Sequence, residues 1–162
     1  RYLPVEAEGE LSGEGLRVLA SIKRVGAIHR FITVLETNGG RRLLVDLGYR
    51  KMGDEDASVP EGAVRVTGNL HWPREVDSFT PEPEGALWFA RDVPAMARAL
   101  EAEPVLIVAR EITPGSTITP LPVSTEGIPN DHLHYAITWF GLALVWLGMT
   151  VFLMWRIKRR TA

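Results

Sequence analysis

NDHLHYAITWFGLALVWLGMTVFLMWRIKRR, residues 130–160, is the stretch around which the rest of the chain is organised. Its central 21 residues, from Tyr135 to Trp155, carry no charge. At about 1.5 Å of rise per residue, a helix of that length matches a hydrocarbon core of roughly 30 Å. The aromatic rings of Tyr135, Trp139 and Trp155 lie near its two ends, as is typical of membrane–water interfaces. A core helix of a soluble domain would show a polar face, so the pattern predicts a transmembrane helix.

The charges on either side of this segment are unequal. Four cations follow it, Arg156, Lys158, Arg159 and Arg160, whereas all 20 acidic residues lie at or before Asp131. The positive-inside rule therefore places the C-terminus in the cytoplasm or, in an organelle, in the matrix. The preceding residues, 1–129, are predicted to form a domain on the periplasmic or intermembrane side. The expected location is a bacterial cytoplasmic membrane or the mitochondrial inner membrane.

The composition restricts the chemistry of the domain. It has no cysteine, which excludes a disulfide framework, a thiolate metal site and a cysteine nucleophile. Its mildly acidic, scattered charge argues against nucleic acid as a partner. Because the chain opens at Arg1 and a translocated domain needs a targeting device, we expect an upstream segment.

Most of the domain has the pattern of short strands. Residues 27–35 and 42–49 are apolar, β-branched runs separated by Asn38-Gly39-Gly40, a strong hairpin signal. Residues 62–71 and 105–110 predict further strands, and 87–91 is short and apolar. Near the N-terminus, two strands are expected after Pro4 and over 16–22, with a hairpin turn over 12–15 between them.

One short helix interrupts these strands. Asp92 is placed to cap a helix over 93–103, with Pro94 in the first turn and Pro104 as its end. The fold class expected is mainly β: a small antiparallel β-barrel or curled sheet with one short helix, plus a C-terminal transmembrane helix. The predicted domains are an extracytoplasmic β-rich domain over 1–129 and a transmembrane helix with a basic cytoplasmic end over 130–160.

The four histidines are the main candidates for cofactor chemistry, because the sequence has no nucleophile elbow and no phosphate-cradling glycine loop. His29 and His71 are read as strand residues without a functional role. His132 and His134 stand at the entrance to the membrane helix, where an imidazole can ligate haem iron. Two histidines two residues apart point about 200° apart on a helix, so at most one can be an axial ligand. The alternative is that both close the helix N-terminus, with Asn130 or Asp131 as its N-cap.

The segment Asn130–Phe140, NDHLHYAITWF, resembles the entrance to the C-terminal membrane helix in the Surfeit locus protein 1 family of cytochrome c oxidase assembly factors. RLLVDLGY at 42–49 is similar to a second family motif, but Asp46, Leu47 and Tyr49 stand where the family has Asn, Arg and Trp. VRVTGNLHWP at 64–73 and LWFARDVPAMA at 87–97 follow in the family order.

This resemblance implies a β-rich domain between two membrane helices and a role in the assembly of cytochrome c oxidase. It implies handling of haem a for subunit I, a chaperone function in the respiratory chain. His132 takes the position of the family histidine proposed to hold haem iron, and Trp139, about one turn further, is expected beside the porphyrin. His134 stands at a glutamine position and inherits no role.

A second hypothesis is an accessory or scaffold subunit, without cofactor chemistry, that stays bound to the oxidase or to a respiratory supercomplex. It rests on Gly141 and Gly148, whose seven-residue spacing places two small residues on one helix face for close packing. The third hypothesis is an enzyme. It is disfavoured because no pairing of a nucleophile with a base is recognisable in the sequence.

Overall fold

The structure is a computed structural model that describes residues 2–23, 25–54, 59–123 and 132–161. The chain divides into two compact units, Arg1–Val123 and Ser124–Ala162. The extracytoplasmic and cytoplasmic placement of the predicted domains, 1–129 and 130–160, stays a prediction.

The first unit is one six-stranded sheet. Its strands are β1 (Pro4–Ile22), β2 (Gly26–Thr37), β3 (Arg42–Lys51), β4 (Ala63–Leu70), β5 (Leu87–Trp88) and β6 (Glu103–Thr113). The order across the sheet is β2-β3-β6-β4-β1-β5, and β1 also pairs with β2, so the sheet curls back on itself through β1. Four pairings are antiparallel, whereas β3–β6 and β1–β5 are parallel. The mainly β, curled-sheet prediction is confirmed, with a mixed sheet in place of a purely antiparallel barrel.

Strand β1 closes the curl because it is long enough to pair on both sides. Its first part pairs with β4, from Pro4 to Glu10, and its second part pairs with β2, from Gly9 to Ile22. The predicted hairpin turn over 12–15 is wrong: this stretch is an irregularity inside one continuous strand. The hydroxyl of Thr33 lies 2.8 and 2.6 Å from the carbonyl oxygens of Ser12 and Glu14, so it satisfies backbone groups that the interrupted ladder leaves unpaired.

The predicted β2–β3 hairpin is confirmed, with its turn at Asn38-Gly39-Gly40. Further along β3, Gly48 has a φ of +121°, a conformation that side chains rarely adopt. A Cβ atom there would lie 2.0 Å from the carbonyl oxygen of Thr119, whose backbone pairs with Tyr49. Glycine therefore lets the segment after β6 approach β3 closely.

Helix α1 (Val93–Ala99) begins where the sequence predicts and ends earlier. The carboxylate of Asp92 accepts a hydrogen bond of 3.1 Å from the backbone N–H of Ala95, which confirms the N-cap. The predicted end at Pro104 is wrong, because Glu101 adopts a positive φ of 52° and β6 starts at Glu103. Pairing of β6 with β3 outweighs the helical propensity of these residues.

The core lies in two layers on opposite faces of the sheet. Inside the curl are buried Leu35, Val45, Leu47, Val66 and Ile107, among others. The outer layer packs α1 and Trp88 on the other face, through residues such as Val18, Ile32, Leu44, Met96 and Val108. Because β3 contributes to both layers, its central residues are all buried, as for a strand covered on both faces.

The second unit contains helix α2 (His132–Thr161), 30 residues long. Over His132–Arg160 it is long and apolar enough to cross a membrane, by length and composition. No part of the span's most apolar window is buried by the chain itself, which separates it from the core helix of a soluble domain. The predicted C-terminal membrane helix is confirmed at this level.

Candidate functional site

His132 is the first residue of α2, and its side chain is exposed. The expected N-cap at Asn130 or Asp131 lies outside the described residues. A helix start has backbone N–H groups without helical partners, so polar side chains commonly lie there. The structure thus places His132 at the polar end of the apolar span, where the sequence predicts a ligand or an interfacial residue.

Trp139 lies on the same face of α2 as His132. Seven residues turn a helix through about 700°, which leaves the two side chains about 20° apart around the axis. Along the axis they are about 10.5 Å apart, two helical turns. The expected separation of about one turn is therefore wrong, although the two side chains share one face of the helix.

The glycines occupy the opposite face. Gly141 and Gly148 are nine and sixteen positions after His132, which places both roughly 180° from it, and His134 shares their side. A Cβ atom at either glycine would meet nothing within 4 Å in the described residues. The haem-ligating and helix-packing residues predicted from the sequence thus lie on separate faces and do not compete for space.

The other two histidines lie in the first unit. His29 is on β2, half-buried, and pairs with Leu19 and Arg50 in the ladders. His71 follows β4, where its ring stacks on Tyr2 with centroids 5.1 Å apart and planes 20° from parallel.

Among the described residues, no three His, Cys, Asp or Glu side chains are grouped as a metal site. A haem needs fewer protein ligands than a free metal ion, because the porphyrin supplies four nitrogen ligands and the protein only axial ones. The exposed imidazole of His132 could serve as such a ligand, so the described residues are compatible with a haem. When bound, the haem would supply redox-active iron.

A group of charged side chains that the sequence analysis missed is buried in the first unit. Asp46 on β3 is fully buried and accepts hydrogen bonds from Arg30 on β2, at 2.5 and 3.0 Å, and from Arg91, at 3.2 Å. Arg91 also binds Glu75 through its side chain and its backbone N–H. We call Asp46, Arg30, Arg91 and Glu75 the Asp46 network.

The network is balanced, with two cations and two carboxylates. The side chains of Arg30 and Arg91 are each only 11% exposed, and Asp46 is not exposed at all. Burial acts to lower the pKa of Arg91, but the hydrogen bond to Glu75 and the charge of Asp46 raise it above its ordinary value. Burial acts to raise the pKa of Glu75, but the hydrogen bonds and charge of Arg91 outweigh it and hold that pKa below its ordinary value.

The sequence held a signal for one member of this network only. Asp46 is the one acid inside the apolar run LLVDL at 43–47, and a buried carboxylate requires partners of opposite charge. Its partners come from positions 16 and 45 residues away, and no local pattern links them. Leu47, which stands at a family arginine position, is fully buried inside the curl.

A groove of about 430 Å³ lies beside the network. One wall is the end of β1, residues 18–22, and the facing wall is Phe89–Arg91. Ile28, Arg30, Glu75 and Leu121 complete the lining. We call it the β1 groove. It is the place where Arg30 and Arg91 face both the buried carboxylate and solvent.

Comparison with known proteins bears on residues from both units. The SURF1 family model matches residues 1–144, which include the whole sheet and the start of α2 with His132 and Trp139. No solved structure is significantly similar.

Curated relatives agree with the family model. The chain is 39% identical over 101 residues to a SURF1-like protein of Monosiga brevicollis, covering 60% of this chain and 38% of the relative. It is 34% identical over 116 residues to Surfeit locus protein 1 of Homo sapiens, covering 66% and 38%. With the Caenorhabditis elegans SURF1-like protein it shares 31% over 133 residues, covering 76% and 39%.

The chain thus spans less than two fifths of the length of these relatives. The family match nevertheless covers most of the chain, and it includes the motifs at 42–49, 64–73, 87–97 and 130–140 that carry the resemblance. The chain belongs to the SURF1 family.

Proposed function

We propose that this protein is a membrane-anchored assembly factor for haem–copper cytochrome c oxidase that handles haem a on its way into subunit I. The observation that carries the proposal is the family match over residues 1–144, which continues from the sheet into a helix able to span a membrane. The role is non-enzymatic: the protein binds and positions, and does not turn over a substrate.

In this proposal the imidazole of His132 would hold the haem iron. It is exposed at the start of α2, where an amphipathic ring can keep its carboxylates in water while its apolar part rests on the helix. Trp139 offers an aromatic surface on the same face, two turns deeper. His134 lies about 200° away and takes no part, which makes it a matched control.

The proposed location is a bacterial cytoplasmic membrane or the mitochondrial inner membrane. The cations that follow the apolar span, Arg156, Lys158, Arg159 and Arg160, support a cytoplasmic or matrix C-terminus. The sheet would then face the periplasm or intermembrane space. That is the side on which a domain joined to the N-terminal end of α2 must lie.

A spectrum of the purified full chain tests haem handling. The chain is isolated in mild detergent from cells that make haem a, and its visible spectrum is recorded before and after the oxidase is removed. We expect a Soret band that stays with the wild type and with His134→Ala and is lost in His132→Ala. A band of equal size in His132→Ala, or no band in any variant, would overturn the haem proposal.

The runner-up is an accessory subunit that stays bound to the oxidase or supercomplex without cofactor chemistry. The glycine face of α2 favours it, because Gly141 and Gly148 leave room for a neighbouring helix to approach closely. Replacing both glycines with leucine should then reduce the oxidase that co-purifies, while the matched pair Ala143→Leu and Thr150→Leu on the opposite side should not. Equal co-purification in both double variants would count against helix packing.

A further inference from the structure

The β1 groove borders a part of β1 that lacks a neighbouring strand on one side in the described chain. Toward β5, β1 pairs only at Arg17 and Val18, with Leu87 and Trp88. After Trp88 the chain leaves the edge and crosses the sheet face, which brings Arg91 to Asp46. Leu19–Ile22 is left as an open edge, although its other side is paired with β2.

The direction of the backbone groups along this edge follows from one hydrogen bond. The N–H of Arg17 donates to the carbonyl of Ala86 at 2.8 Å, so odd-numbered residues here point their N–H and C=O away from β2. The same alternation turns the carbonyl of Leu19 and both backbone groups of Ser21 into the groove. Ser21 is exposed, and its neighbours line the groove. Such a row of donors and acceptors is matched by another extended backbone.

The charges around the groove select the kind of segment that fits. Arg30 and Arg91 line it, and the acids nearest to them, Asp46 and Glu75, are already bound by these arginines. At the end of β1, Lys23 follows Ile22 and is exposed. A bound strand thus passes an exposed cation at this end, which favours acidic side chains in the partner.

We propose that the edge of β1 from Leu19 to Ile22 binds an extended, acidic segment of the oxidase subunit under assembly, which adds to the sheet as a further strand. This inference rests on the proposed function for the identity of the partner. Its physical content is backbone hydrogen bonding at Ser21 and Leu19, apolar contact with Ile22 and Phe89, and attraction to Lys23.

Amide hydrogen exchange tests the edge directly. The full chain in detergent is compared alone and in the complex with oxidase that co-purifies with it. We expect slower exchange in the complex at residues 19–22, where the N–H of Ser21 acquires an acceptor, and unchanged exchange in the centre of β3, which is already paired on both sides. Unchanged exchange at 19–22 in a complex that does form would overturn the inference.

Variants supply the matched controls. Ser21→Pro removes the N–H that points into the groove but no hydrogen bond between β1 and β2. It should therefore lower oxidase co-purification about tenfold, whereas Ser21→Ala, which keeps the N–H, should not. Lys23→Glu should lower it about threefold at low salt, whereas Arg98→Glu on α1 should have no effect. Co-purification of Ser21→Pro at the wild-type level would contradict strand addition.

Failure of the inference and failure of the function are distinguishable. If deletion of the protein stops oxidase maturation but Ser21→Pro restores it fully, the partner binds elsewhere and the proposed function stands. If deletion leaves maturation intact and no oxidase co-purifies, both proposals fall. Exchange on the wild-type chain keeps the test decisive even where Ser21→Pro disturbs the fold.

Discussion

The two units of this protein differ in which side chains they bury and which they leave exposed. The sheet encloses a carboxylate, Asp46, and two arginines that are 11% exposed, whereas α2 leaves every large apolar side chain from Leu133 to Ile157 exposed. In water the second arrangement is unfavourable, at roughly 25 cal/mol for each Å² of apolar surface left uncovered. The buried charges of the sheet therefore find their partners within the sheet domain, whereas the apolar side chains of α2 depend on lipid or on another protein.

The largest expected effect comes from disrupting the buried charges of the sheet. Asp46→Ala leaves Arg30 and Arg91 without their shared carboxylate in a dry site, and we expect a loss of about 3–5 kcal/mol in the free energy of unfolding. Urea unfolding of the full chain in detergent, followed by the circular dichroism of the sheet, measures it.

The control for that measurement is Glu103→Ala, which removes an ion pair with Arg41 whose two side chains are well exposed. Water and salt screen an exposed ion pair, so this variant should unfold almost as the wild type does. Equal losses in the two variants would mean that burial does not determine the strength of these ion pairs.

The second prediction concerns the exposed apolar side chains of α2. Leu144→Arg places a charge near the middle of the apolar span, at a cost of about 2.5–3.5 kcal/mol for membrane insertion. We expect a larger fraction of the protein to be released from membranes by alkaline carbonate. The matched change Leu3→Arg, at an exposed leucine before β1, should leave the released fraction unchanged. Full retention of Leu144→Arg would show that α2 does not reside in the bilayer.

A third prediction concerns the element that closes the outer core layer. Asp92→Ala removes the N-cap of α1 and should lower the free energy of unfolding by about 1 kcal/mol. Asp92→Asn keeps an acceptor oxygen for the N–H of Ala95 and should restore most of that loss. A shift in the urea midpoint reports both, and an Asn variant as unstable as the Ala variant would argue for a charge effect in place of a hydrogen bond.

The smallest expected effect is a pH dependence in the Asp46 network. Because the pKa of Glu75 is lower in the folded chain than in the unfolded one, its ionised form stabilises the fold. That contribution is complete above the unfolded pKa of about 4.3 and is lost as the pH falls through the folded value. Glu75→Gln should therefore be less stable than the wild type at neutral pH, by up to about 1 kcal/mol since Glu75 is partly exposed.

Melting temperatures of wild type and Glu75→Gln, taken from neutral pH down to strongly acidic pH, check this prediction. The difference between them should shrink toward zero at acidic pH. A difference that stays constant with pH would mean that the side chain acts by packing and not through its charge.

Much of the fold could be predicted from local patterns. The β2–β3 hairpin, the start of α1 at Asp92 and the apolar span of α2 depend on neighbouring residues, and all three are confirmed. The predictions that were wrong concern segments whose structure depends on residues far away in the chain. The continuity of β1 through 12–15 depends on Thr33, and the early end of α1 depends on the pairing of Glu103 with Leu43.

The candidate site divides in the same way. The helical spacing of His132, Trp139, Gly141 and Gly148 follows from the sequence once α2 is a helix, because a regular helix determines the direction of every side chain. Haem ligation by His132 and helix packing at the glycines stay predictions. The Asp46 network and the β1 groove could not be predicted, since their residues come from β1, β2, β3 and the segments around 75, 91 and 121.

The sequence by itself determined that the chain has one helix able to span a membrane, a β-rich domain before it and membership of the SURF1 family. These properties depend on composition, periodicity and motifs, which are local. Only the tertiary structure decided which strands lie side by side, which face of β3 carries the buried carboxylate and where β1 is left with an open edge. Strand pairing and charge burial join residues far apart in the chain, and the free energy that selects them arises only when those residues meet.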